Sequence, residues 1–195
     1  RPIWPNIGYD FDKRKKELTE KLTAACPGID LQPVTIHTTE DAKKMLQDSP
    51  DADGYLVYML GLWTRGGTAA VGASGKPVVF ADDLYGGSGE YLISYAAARR
   101  AGQKVVGVSS SRVEDVAAVT NCFELLKKPG KTVDDFLAAA NNTRMKAFGK
   151  PGDMKCAEDP VKITDPAECL KKLKASTMLV VGSPKEKLAK DIQNV

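Results

Sequence analysis

Tyr55-Leu56-Val57-Tyr58-Met59-Leu60 is a continuous apolar run, with no polar residue alternating through it. That texture constrains the fold more than any other feature of the chain. A strand with one wet face alternates. A strand covered on both faces does not, and such strands belong to parallel sheets with helices above and below. Two further stretches fit the same role, Pro77 to Ala81 (PVVFA) and Lys104 to Val108 (KVVGV). Between them, Lys76 to Tyr91 spells out one step of a βαβ unit: a strand, the acidic pair Asp82-Asp83, the turn Gly86-Gly87-Ser88-Gly89 and the start of a helix. Parallel neighbours need such a crossover, and ligand groups gather where the strands end.

The rest of the chain alternates in the same way. Phe11, Lys15, Leu18, Leu22 and Ala25 recur at steps of four and three, which predicts a helix over 11–25 that Pro27-Gly28 stops. Leu31 to Ile36 is expected to be a short strand. Thr38 with Asp41 reads as the cap of a helix over 39–47. A short helix over 68–73 and a longer one over 88–101, closed by Gly102, flank the 77–81 strand. Ser111 to Glu114 has the spacing of a capping box, opening a helix whose apolar face is Val116, Val119, Phe123 and Leu126. Thr132 to Asp135 opens another, reaching about Lys146. Residues 149–164 lack periodicity and read as a connection. Asp165-Pro166-Ala167-Glu168 then caps a helix, Thr177 to Val181 reads as a strand, and Ser183-Pro184 starts a last helix.

The expected fold class is therefore α/β, a three-layer sandwich with a parallel sheet (flavodoxin/Rossmann-like). Residues 1–148 form the first domain and 165–195 the start of a second. The first helix has no strand before it and the last has none after it. The fold is thus expected to be incomplete at both ends, as in a piece of a longer protein.

Composition narrows the function classes. A net charge of +3 over 195 residues, with lysines and glutamates interspersed along helices, describes a solvated surface and not a nucleic-acid footprint. No stretch of about 18 apolar residues is present, so no transmembrane helix and no membrane partner are expected. Cys26, Cys122, Cys156 and Cys169 form no CxxC pair, and His37 is the single histidine, which argues against a structural zinc site. Reduced thiols and a cytoplasmic location are the expectation, with a Cys156–Cys169 pairing left open.

The candidate chemistry sits after the strands. The Gly86 to Gly89 turn at a helix N-terminus has backbone N–H groups that could hold an anion, or small residues that merely let the chain turn sharply. Asp82 and Asp83 suit acid–base or metal work at a strand end, or serve as turn residues. Trp63, with Arg65 beside it in a glycine-flanked loop, offers a flat apolar face to a sugar ring, or folds onto its own domain. Gly72-Ala-Ser-Gly75-Lys76 is no phosphate loop: it is too short, precedes a strand, and has Pro77 where Ser or Thr is needed.

Asp53 to Trp63 (DGYLVYMLGLW) and Gly75 to Gly102 (GKPVVFADDLYGGSGEYLISYAAARRAG) together resemble the N-terminal α/β domain of the L-fucose/L-arabinose isomerase superfamily. Thr177 to Gly182 resembles the crossing into that family's second domain. The resemblance implies the substrate-pocket part of a metal-dependent aldose–ketose isomerase. Its divalent metal, typically Mn2+, is bound by later domains, so this segment would hold no catalytic or metal residue and be inactive alone. It further implies a small-molecule sugar as partner and a homo-oligomer whose pocket reaches a neighbouring subunit. Trp63 matches the family's pocket aromatic. Arg65 and the turn Asp82, Asp83, Tyr85, Gly86, Gly87 and Ser88 are its implied neighbours, and Asp10 and Arg14 fall in the region of the family's basic loop before the first helix. The alternative reading is a non-catalytic sugar- or phosphate-binding α/β module.

Overall fold

The computed structural model describes residues 8–61, 65–83, 86–147 and 165–177. The chain divides into two compact units, Arg1–Pro151 and Gly152–Val195.

In the first unit, β1 (Tyr55–Met59), β2 (Val78–Asp82) and β3 (Val105–Ser109) form a parallel sheet in the order β1-β2-β3. Met59 pairs with Asp82, and Asp82 with Ser109, so the three C-terminal ends are level. The strand-forming runs are apolar because helices cover both sides. On one face Val78, Phe80 and Val105 meet Ala42 of α2 (Thr39–Asp48), Val71 of α3 (Arg65–Gly72) and Tyr91 and Ala98 of α4 (Ser88–Arg100). On the other, Val79, Ala81, Val106 and Val108 meet Leu18 and Leu22 of α1 (Phe11–Ala25) and Val116 and Val119 of α5 (Val113–Thr120). A 3₁₀ stretch (Asn121–Lys127) and α6 (Val133–Ala147) add Phe123, Phe136 and Ala140 there. Each fully buried valine or phenylalanine contributes roughly 1.5–3 kcal/mol, and central strand β2 is buried at every position.

Helix ends follow local chemistry. Thr38 and Asp41 form a reciprocal capping box on α2. Gly102 ends α4 with a positive φ of 68°, and the N–H groups of Gly102 and Gln103 close back on the carbonyls of Arg99 and Ala98, a Schellman arrangement.

Three expectations are corrected. Leu31 to Ile36 forms no strand; it is an irregular, largely exposed segment. Pro33 removes a ladder donor at its centre, and Gln32 and Thr35 deny it an apolar face. Ser111 does not cap α5 either. The N-cap position is Arg112, and it is the Ser110 hydroxyl that accepts from the Arg112 N–H, at 3.1 Å. The α-helix also ends at Thr120, and the chain through Phe123 and Leu126 tightens into the 3₁₀ stretch.

In the second unit the described part is α7 (Pro166–Lys174), whose cap is Asp165, accepting from the Ala167 N–H at 2.9 Å. The expected strand beyond Thr177, the last helix and the 149–164 connection lie outside the described residues.

Candidate functional site

The two crossover helices, α3 and α4, lie on one face of the sheet, whereas the chain leaves β3 for α5 on the other. The helices that follow β2 and β3 thus pass to opposite faces, so the chain diverges beyond the C-terminal ends of these two strands, the edge where ligand groups gather in parallel sheets. Here that point falls between β2 and β3. Its two terminal residues are Asp82 and Ser109.

Asp82 is 1% exposed. Its side chain follows Val78 and Phe80 toward α4, since alternate residues of a strand share a face. Ser88 Oγ donates to Oδ1 at 3.1 Å and Ser109 Oγ donates to Oδ2 at 3.0 Å. Burial pushes the Asp82 carboxyl up from its ordinary value, the two hydroxyl bonds oppose that, and the neighbouring Asp83 adds to it.

Asp83, one residue on, turns to the opposite face. Arg14 of α1 grips it with Nη2 on Oδ1 at 2.6 Å and Nε on Oδ2 at 3.1 Å, and Tyr9 Oη donates to Oδ2 at 3.3 Å. Arg14 Nη1 also reaches Glu17 at 3.4 Å. The hydrogen-bonded carboxylate holds the guanidinium more firmly protonated than usual, against the opposing effect of burial. Burial, with Asp83 second, raises the Tyr9 phenol. Asp10, next in the chain, caps α1 by accepting from the Lys13 N–H at 2.9 Å. Tyr58 lies on this same face, opposite Ala81 and diagonal to Asp83. Its phenol is pushed up to about 12, by burial first and then by Asp83.

The glycine turn is built for contact with β1. A Cβ on Gly87 would stand 1.8 Å from the Met59 carbonyl oxygen, and one on Gly86 would stand 2.2 Å from that of Leu60. The N–H groups of both glycines donate to the Asp83 carbonyl. The turn thus seats α4 on the end of β1, and those two donors face inward.

The structure therefore separates what the sequence grouped. Asp82 and Ser88 are bonded to each other on the α4 side; Asp83 and Arg14 form a pair on the α1 side; Gly86 and Gly87 are a packing device; Asp10 is a helix cap. Arg65 opens α3, and its side chain, like Trp63 and Tyr85, falls outside the described residues. β1 and β2 are parallel neighbours, so their C-terminal ends share one edge. Sequence reasoning missed Ser109, Tyr9 and Tyr58. It also missed Glu90, a buried carboxylate that accepts from Ser94 Oγ at 2.8 Å and Thr68 Oγ1 at 3.2 Å. The available signal for Ser109 was its place as the terminal residue of a predicted strand parallel to that of Asp82.

The divalent metal that the resemblance implies does not fit these residues. Among the described residues no three His, Cys, Asp or Glu side chains converge. Asp82 is turned to hydroxyl donors and Asp83 to a guanidinium, whose charge opposes a cation alongside. The chemistry these groups offer is hydrogen bonding and orientation. Among the described residues, no helix is long and apolar enough to cross a membrane. Compared with protein-family models, curated proteins and solved structures, the chain has no significant match.

Proposed function

We propose that the Arg1–Pro151 unit is a flavodoxin-like binding module that takes a small, uncharged, polyhydroxylated ligand such as a monosaccharide at the C-terminal edge of its sheet. The observation that carries the proposal is Asp82. A carboxylate buried at the point where the chain diverges to opposite faces, held by two serine hydroxyls, is costly to place there without use. The sign of charge favours a neutral ligand over a phosphate. Around the edge stand Asp82, Asp83, Glu114 and Asp115 against Arg14 and Arg112, and Arg14 and Arg112 are already paired with Asp83 and Asp115. Among the described residues at the edge, both guanidiniums are thus already engaged, and an anion there would meet the repulsion of the carboxylates.

The narrower reading, the substrate-pocket part of an Mn2+-dependent aldose–ketose isomerase working as a homo-oligomer in the cytoplasm, rests on the sequence resemblance. It takes the same edge as one wall of the sugar pocket and draws its metal ligands from outside the described residues. Calorimetric titration of the chain with L-fucose, L-arabinose, D-ribose and inorganic phosphate tests the broader reading. Saturable heat with a sugar and none with phosphate is expected. Heat with phosphate alone, or with nothing, sinks it.

A further inference from the structure

Tyr58 stands apart from the other polar groups that the sheet and α1 bring to this edge. Tyr9, Arg14, Asp82, Asp83, Ser88 and Ser109 all have hydrogen-bond partners within the unit. The Tyr58 phenol has none among the described residues, although burial and the charges of Asp83, Arg14, Asp82 and Glu114 all bear on it. Its ring belongs to the strand, packed with Leu56 against the α1 and α5 side of the core. Its position is one residue short of the level end of the sheet, diagonal to Asp83. The hydroxyl is not closed off from solvent, so water or a ligand oxygen is the partner left to it. Asp83, the nearest acceptor by register, already takes Arg14 twice and Tyr9 once. A phenol at pH 7 is a protonated donor, and its high titration point keeps it one well above neutrality.

We propose that Tyr58 is a ligand-contacting residue whose O–H donates to a hydroxyl or carbonyl oxygen of the uncharged ligand. The inference rests on the reading that this edge binds such a molecule, and it deepens that reading by naming the group that meets the ligand. The acceptor is a neutral oxygen because, of the charges that bear on the phenol, Asp83, Asp82 and Glu114 are negative and Arg14, already paired with Asp83, is the one positive group. The adjacent Arg14–Asp83 pair then works as a fixed wall that holds the ring's surroundings and leaves the phenol free to point at the ligand. Tyr58 would also report the ligand directly, since its O–H exchanges solvent for a fixed acceptor on binding.

The test is Tyr58→Phe, which removes the hydroxyl and keeps the ring. The full chain, wild type and variant, is titrated with L-fucose, L-arabinose and D-ribose, and thermal unfolding is followed without ligand. The expected result is a loss of about 5- to 10-fold in affinity for whichever sugar the wild type binds. The unfolding midpoint should be unchanged or raised, because the deleted hydroxyl has no internal partner to lose. Sugar binding that is equal in wild type and variant overturns the role of Tyr58 and leaves the binding module standing. A midpoint several degrees lower in the variant shows an internal structural bond and overturns the role even without a ligand. Absence of sugar binding in the wild type removes both readings together. In ¹³Cζ-tyrosine-labelled protein, saturating sugar should move the Tyr58 resonance, the one missing from the variant spectrum; a sugar that binds and leaves it unmoved counts against the contact.

Discussion

The Arg14–Asp83 pair ties the first helix to the sheet edge, and its strength is open to direct measurement. The side chains are 23% and 10% exposed, between a surface pair and a buried one, and the contact is bidentate. Exposed ion pairs are worth about 0.2–1 kcal/mol, and breaking a buried one costs about 3–5 kcal/mol. Arg14→Met or Asp83→Asn alone should therefore cost about 2–3 kcal/mol, since each strands the other charge in a half-buried site. The double variant should cost clearly less than the sum, leaving a coupling of about 2 kcal/mol. In urea, with a slope of about 2 kcal/mol per molar, each single variant moves the midpoint down by roughly 1 M. Circular dichroism of the wild type, both single variants and the double variant completes the cycle. A coupling below about 0.5 kcal/mol would place the pair with ordinary surface contacts, and the idea of a tether would be wrong.

Gly87→Ala should destabilise by at least about 2–3 kcal/mol, because its new methyl would stand 1.8 Å from the Met59 carbonyl. Gly61→Ala should stay within about 0.5 kcal/mol, as the nearest atom, on the Phe11 ring, is 3.7 Å away; equal effects at both sites in urea titrations would refute the close-approach account. Burial raises the folded-state pKa of Asp82 above its unfolded value of about 3.9, so the native chain binds the extra proton and this residue's contribution falls as pH rises through that window. The stability of Asp82→Asn relative to wild type should accordingly improve between about pH 4 and pH 7, and a flat or opposite trend in paired denaturation curves would contradict the burial effect.

Much of the framework was legible because its cause is local. Continuous runs such as Tyr55–Met59 announce a strand covered on both sides, and Thr38 with Asp41 announces a cap that forms as expected. Leu31 to Ile36 misled because its apolar ends outweighed Pro33 in the reading, whereas a strand needs a donor at every other position. The site was legible in place and not in arrangement. Asp82 and Asp83 were read as one acidic pair, yet the two-residue period of a strand already required that they face apart. Arg14 was grouped with the pocket by position alone; its partner is 69 residues away, a distance no local pattern encodes. Tyr58 was hidden inside an apolar run, where a tyrosine counts as a ring and its hydroxyl leaves no mark.

Because Arg14 and Tyr9 close on a carboxylate that β2 delivers, the first helix cannot be treated as a detachable leader. A fragment starting after residue 14 would strip Asp83 of its cation and of its phenol donor at one stroke, while the strands that carry it stayed whole. The damage would show as charge before it showed as lost packing: Leu18 and Leu22 would still have their core to fill, but the sheet edge would carry a carboxylate without its ion-pair partner.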